Sequence, residues 1–276
     1  MGAQPEFFLL LAFLMKRIYL TVLVSIPVTA VAGAGSEMAV GDGQIDGRKI
    51  KPFEITWQQC AFVDDQWTDQ GAVTETLTIL GDSELRLRRA VKQPGGKQGA
   101  SATYFDRASF APIRMETEIA GADGTRLAYS HRDIDVDGYA GVVDRGGEKK
   151  SVQGEITSSM LDGGSLGLPL ATIAYQEKPL EFLASMMSFD ASYRVKAEWV
   201  GSETLDFEGN QVEAWLIDIE WHHEVLGDVY PPGPDASGGR YWVVPDPPDG
   251  FPYVPRYKTD SYAVEFIRKF CPRTEG

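Results

Sequence analysis

Strict two-residue alternation constrains this chain more than any other feature. Ile113, Met115, Thr117 and Ile119 alternate with Arg114, Glu116 and Glu118. Tyr193, Val195, Ala197 and Trp199 alternate with Arg194, Lys196 and Glu198, and Leu85 and Leu87 with Arg86 and Arg88. Successive side chains of a strand point to opposite faces, so each stretch reads as a strand with one dry and one wet face, the pattern of antiparallel sheet. Further strands are expected over 50–57, 72–80, 99–105, 124–136, 139–144, 150–157, 211–223, 240–245 and 256–267. Turn signals divide them, among them Gly81-Asp82, Asp123-Gly124, Asp137-Gly138 and Gly146-Gly147. Residues 165–189 break the alternation. Pro179 suits a first helical position, Glu181 a first turn, and Leu180, Leu183, Met186 and Met187 fall near one helical face. One or two short helices are expected there. The fold class predicted is mostly β: a single curved antiparallel sheet, half-barrel or open barrel, of about ten strands wrapped around a short helical insert.

The N-terminus reads as an export signal over residues 1–34. A basic Lys16-Arg17 pair follows Met15, an apolar stretch comes next, and Ala30, Ala32 and Ala34 fit small-x-small cleavage. Residues 1–14 precede a complete signal, which points to Met15 as the true start. The rival reading joins 7–32 into a membrane anchor, but Lys16 and Arg17 interrupt it. Export with cleavage places residues 35–276 in the periplasm as a single β-rich domain, large enough for an ample core. The two cysteines, Cys60 and Cys271, stand near the ends of that domain. In an oxidising compartment they are expected to pair, a long loop closure worth about 4–5 kcal/mol in the chain-entropy model; the alternative is two buried thiols. The formal charge of −14 and the lack of a basic stripe argue against a nucleic-acid partner.

Three motifs invite a chemical reading. In "AWLIDIEWHHE", 214–224, Trp215, Ile217, Ile219, Trp221 and His223 share one strand face, and Asp218, Glu220, His222 and Glu224 the other. The two histidines therefore face opposite ways. Same-face neighbours stand about 7 Å apart, so a metal or acid–base site on Glu220, His222 and Glu224 would need ligands from other strands. His131 is a further histidine of the same kind. Second, Asp133, Asp135, Asp137 and Asp144 match a calcium-type D-x-D-x-D-G loop, with Gly138 at the turn. Flanking helices are missing from the pattern, and a strand entering an Asp137-Gly138 hairpin explains the same residues. Calcium is the only cofactor the sequence suggests. Third, Gly163-Gly164-Ser165-Leu166-Gly167 fits the G-x-S-x-G of a nucleophile elbow, but that elbow belongs on a parallel sheet. C-x-x-C, H-E-x-x-H, P-loop and dinucleotide signatures are absent.

Three segments together carry a resemblance: "LGLPLATIAY", "YRVKAEWVGSETLDFEGNQVEAWLIDIEW" and "RYWVVPDPPDGFPYVPRYKTDSYAVEF". Over about 165–267 the chain resembles an exported bacterial family of unknown function that shares the half-barrel fold of the periplasmic lipoprotein carriers. The resemblance implies a curved sheet around helices and an apolar cavity, and it supplies no catalytic residues. The expected function is a non-enzymatic binding or carrier role for an apolar small molecule, lipid, acyl chain or lipoprotein. Tyr193, Met186, Met187, Trp199, Trp215, Trp221 and His223 would line the ligand site. The alternatives are an envelope interaction module with a protein partner, or a hydrolase or lyase using the Glu220-His222-Glu224 face.

Overall fold

The computed structural model describes residues 36–63, 66–92, 96–173, 179–186, 191–207, 210–223, 238–249, 251–258 and 262–265. The first strands in chain order are β1 (Ser36–Glu37), β2 (Phe53–Val63), β3 (Gln66–Leu80), β4 (Glu84–Lys92) and β5 (Gln98–Asp106). A meander follows: β6 (Pro112–Ala120), β7 (Arg126–Ile134), β8 (Tyr139–Arg145) and β9 (Glu148–Gly154). Then come β10 (Leu161–Asp162), a 3-10 turn (Gly163–Ser165), helix α1 (Gly167–Leu170) and β11 (Leu180–Met186). The last strands are β12 (Ala191–Phe207), β13 (Asn210–His223), β14 (Gly238–Val243), β15 (Arg256–Lys258) and β16 (Tyr262–Glu265).

Among the described residues these form one sheet in the order β1-β11-β12-β13-β14-β15-β16-β2-β3-β4-β5-β6-β7-β8-β9, with β10 beside β11. The two-residue β1 and β10 run parallel to β11; the other pairings are antiparallel. The sheet is not closed on itself.

Alternation decides which face is dry. Leu85 and Leu87 of β4 stand opposite Phe105 and Thr103 of β5, and Leu77 of β3 stands opposite Leu87. These side chains are buried, as are Val195, Ala197, Ile217, Ile219 and Trp221 on β12 and β13. All the apolar ones belong to one cluster, which also takes Leu166, Leu168, Leu170 and Ile173 from the segment after the 3-10 turn. Each large apolar side chain so buried contributes about 1.5–3 kcal/mol. A second cluster, Leu205, Val212, Ala214, Trp242, Val244 and Phe251, occupies the opposite face.

Two expectations are corrected. Among the described residues of the 165–189 insert, helix is confined to the end of the 3-10 turn at Ser165 and to Gly167–Leu170, while Leu180–Met186 is strand β11, paired along its length with β12. The Leu180, Leu183 and Met186 spacing imitates a helix because β11 is covered on more than one side: Phe182, Ala184 and Ser185 are all buried. The strands also outnumber the ten expected. β11 replaces a helix, β1 and β10 are too short to show a period, and the C-terminal run breaks into β15 and β16.

Candidate functional site

The dry face of β12 and β13 brings several of the expected wall residues together. Val195 stands opposite Trp221 and Tyr193 opposite His223. The Tyr193 and Trp221 rings meet edge to face, 5.6 Å between centroids and 89° between planes, a pairing worth about 0.5–1.5 kcal/mol beyond burial. Gly163 lies against Trp221. A β carbon there would sit 2.9 Å from the Ser185 carbonyl, 3.0 Å from Met186 Sδ and 3.1 Å from the Trp221 ring. Trp215 and Met186 are partly buried against the same cluster. Met187 and the His223 side chain lie outside the described residues.

Trp199 departs from the expected wall: it is 46% exposed. Trp199 pairs with Ile217, but Gly201 pairs with Leu216, so Val200 is an extra residue on β12. This bulge bends the strand and ends its dry face. Beyond it Glu203 and Leu205 stand opposite Ala214 and Val212, on the side of the second cluster.

Opposite charges also stand on the dry face. Val73, Glu75 and Leu77 of β3 face Val91, Arg89 and Leu87 of β4. Glu75 is buried, and Arg89 Nε donates to its Oε2 at 2.6 Å. Arg89 Nη1 donates to the carbonyl of Gly164 in the 3-10 turn. Burial works to lower the Arg89 pKa; the Glu75 charge and hydrogen bond, with Asp162 behind them, outweigh it and hold the guanidinium above its ordinary value. Asp162 and Ser165 are buried too, and Ser165 Oγ donates to Asp162 Oδ2 at 2.7 Å. A buried carboxylate without a partner is costly by several kcal/mol, so this cluster depends on its pairing. The signal for it was in the sequence: two opposite charges at dry positions, equidistant from the Gly81–Ser83 turn.

The wet face of β13 forms cross-strand ion pairs. Arg240 holds Asp218 through Nε at 2.5 Å and Nη2 at 2.7 Å. Lys196 Nζ stands 3.5 Å from Glu220, and His222 Nε2 3.9 Å from the same carboxylate. Pairs this exposed contribute about 0–1 kcal/mol each. Glu224, the third member of the expected acid–base face, lies outside the described residues, as do Cys271 and the Cys60 side chain.

The Asp133–Asp144 motif is a hairpin. Asp135 Oδ1 accepts from the amides of Asp137 and Gly138, closing the β7–β8 turn. Asp144 lies near the far end of β8, opposite Tyr129, with its Oδ1 on the amide of Gly147. Seven residues at about 3.3 Å each carry it away from Asp137, so the structure does not gather the four aspartates. Asp133 instead meets His131, Oδ2 to Nε2 at 3.0 Å. Among the described residues no group of three or more His, Cys, Asp or Glu side chains could hold a metal ion. Ser165, engaged with Asp162 and 3% exposed, is a turn-forming residue. No family model, curated protein or solved structure matches this chain.

Proposed function

We propose that the chain is a non-enzymatic binding or carrier protein of the periplasm, which holds an apolar ligand on the inner face of a curved, half-barrel sheet. The observation that carries this reading is the double contact of Gly163 and Gly164. The first packs on Trp221 of β13, and the second accepts a hydrogen bond from Arg89 of β4. In a flat sheet those strands, six steps apart, would be separated by about 29 Å. Two consecutive residues and one arginine side chain cannot bridge that gap, so the sheet bends around residues 161–173. Open sheets beyond about ten strands generally curl, and the resemblance over 165–267 points the same way. The concave side then presents Tyr193, Trp215, Trp221 and Met186, an aromatic and thioether lining suited to alkyl chains.

Export is part of the same proposal, with cleavage after Ala32 or Ala34 and Cys60 bonded to Cys271. Native mass spectrometry of the protein recovered from its own envelope should find a bound lipid-sized adduct that organic solvent removes. A ligand-free mass, together with no uptake of a pyrene-labelled alkane, would refute the reading.

A further inference from the structure

The two edges of the sheet are treated differently. At one, β11 is covered by β1 at Leu180 and Glu181 and by β10 at Ala184 and Ser185. At the other, β9 pairs with β8 along Glu148–Gly154 and, among the described residues, with no further strand. A bare edge offers a row of unpaired N–H and C=O groups to another strand, and natural sheets blunt it with proline, a bulge, a very short strand or charge. β9 has seven residues, no proline and an unbroken register, and all of its side chains but Val152 and Gly154 are exposed. Charge, at Glu148, Lys149 and Lys150, is the one device it carries.

That charge selects a register rather than forbidding one. Gly146 and Gly147, both at positive φ, form the two-residue turn of the β8–β9 hairpin, with Arg145 opposite Glu148. Residues flanking such a turn bond to each other, so Glu148, Lys150, Val152 and Gly154 direct their backbone groups at β8. Lys149, Ser151 and Gln153 direct theirs outward. Two antiparallel copies of β9 bond only where these three meet one another. A two-fold axis at Lys149 or Lys150 sets lysine against lysine, and one at Val152 or Gln153 overlaps fewer residues. An axis at Ser151 overlaps all seven. It sets Lys149 opposite Gln153 of the second copy, Ser151 opposite Ser151 and Lys150 opposite Val152, with no like charges opposed. The hairpin suits a second copy in its total charge as well. It carries Arg145, Lys149 and Lys150 against Asp144 and Glu148 in a chain of formal charge −14, so two molecules repel each other least there. We propose that the protein forms a two-fold dimer through β9, one sheet running on into the next, with about six backbone hydrogen bonds centred on Ser151.

Sedimentation velocity of the purified protein across a wide concentration range should show a monomer passing into a dimer. The outward amides of Lys149, Ser151 and Gln153 should exchange hydrogen more slowly as the dimer forms. Ser151→Pro removes an N–H that β8 does not use, so it should give a monomer with an unchanged circular dichroism spectrum. If that variant does not fold, a surface substitution serves: Gln153→Lys sets two lysine pairs against each other and should weaken association about fivefold or more. Adding Lys149→Glu to Gln153→Lys should restore it. A monomer at every concentration, or a dimer that survives Ser151→Pro, would overturn the proposal. A dimer that Gln153→Lys leaves unchanged, or that the charge exchange fails to restore, would overturn the register centred on Ser151.

Discussion

Tyr257 lies on β15 directly opposite Tyr241, the two rings 4.4 Å apart, and its edge covers the backbone of Gly239. A β carbon on Gly239 would stand 2.7 Å from the ring, so the glycine permits this packing. Burial pushes the Tyr257 hydroxyl up to about 12, against ~10 for an unfolded tyrosine. Below pH ~10 both states are neutral and the stability is fully present. Above it the unfolded chain ionises first, and stability falls by about 1.4 kcal/mol per pH unit until the folded pKa is passed, roughly 2–3 kcal/mol in all. Urea midpoints taken between pH 9 and pH 12 should therefore drop more steeply for the native protein than for Tyr257→Phe. Parallel curves would show that the phenol is no more buried than in the unfolded chain. The Glu75–Arg89 pair shows the other side of residue-scale burial. Charges at dry-face positions look like strand ends in a sequence, and only the register between β3 and β4 turns them into partners.

At the scale of elements, the bulge in β12 separates what was legible in the sequence from what was not. Gly201 has φ +149°, a conformation that side-chained residues rarely adopt. Gly201→Ala should cost about 1–2 kcal/mol. Deleting Val200 removes the extra residue, so that Gly201 follows Trp199 in an unbroken strand with the pairing to β13 unchanged. Alanine at 201 should then be tolerated, and the double change should be more stable in urea than Gly201→Ala alone. Equal losses in the two backgrounds would mean that the strain lies elsewhere. Stretches covered on one face only, such as residues 84–88 of β4, were readable because their side chains alternate between core and water. So was the dry-face position of Tyr193 and Trp221, both buried. Trp199 keeps its parity and its partner Ile217 but is 46% exposed where the bulge ends the dry face of β12, and a bulge leaves no mark in the hydrophobic pattern before it. β11 was misread because apolar residues stand on both of its faces, Leu180, Phe182 and Ala184 on one and Leu183 on the other, which hides in the sequence a period of two that burial keeps from Leu180 to Ala184.

Stability is unevenly spread over the molecule. β11, β12, β13, β3, β4 and β5 all send side chains into the main cluster with residues 166–173. The other limb has less beneath it. β9 is the last strand of the sheet, residues 148–151 and Gln153 on it are exposed, and the only cluster on β7 and β8 among the described residues is Ile134, Tyr139 and Ile156 with Met115, Val152 and Met160 at its margin. Leu127 and Val142 of the same limb are 43% and 37% exposed. Local opening free energies follow buried apolar contact, so this limb should open well before the rest. In native-state hydrogen exchange the amides of β8 and β9 should exchange through sub-global openings at low denaturant. Those of Val195, Ala197, Ile217 and Ile219 should exchange only through global unfolding. Gly163 and Gly164 touch both limbs, Trp221 of β13 and Arg89 of β4, so a core shared in this way cannot lose one strand without exposing the other. Leu166, fully buried in that segment, tests this directly. Leu166→Ala should cost about 2–5 kcal/mol and lower the protection of β4 and β13 by the same amount, leaving the low-stability openings of β9 unchanged. Protection lost in β13 alone would mean that the segment belongs to one limb, and the curved-sheet proposal would lose its main support.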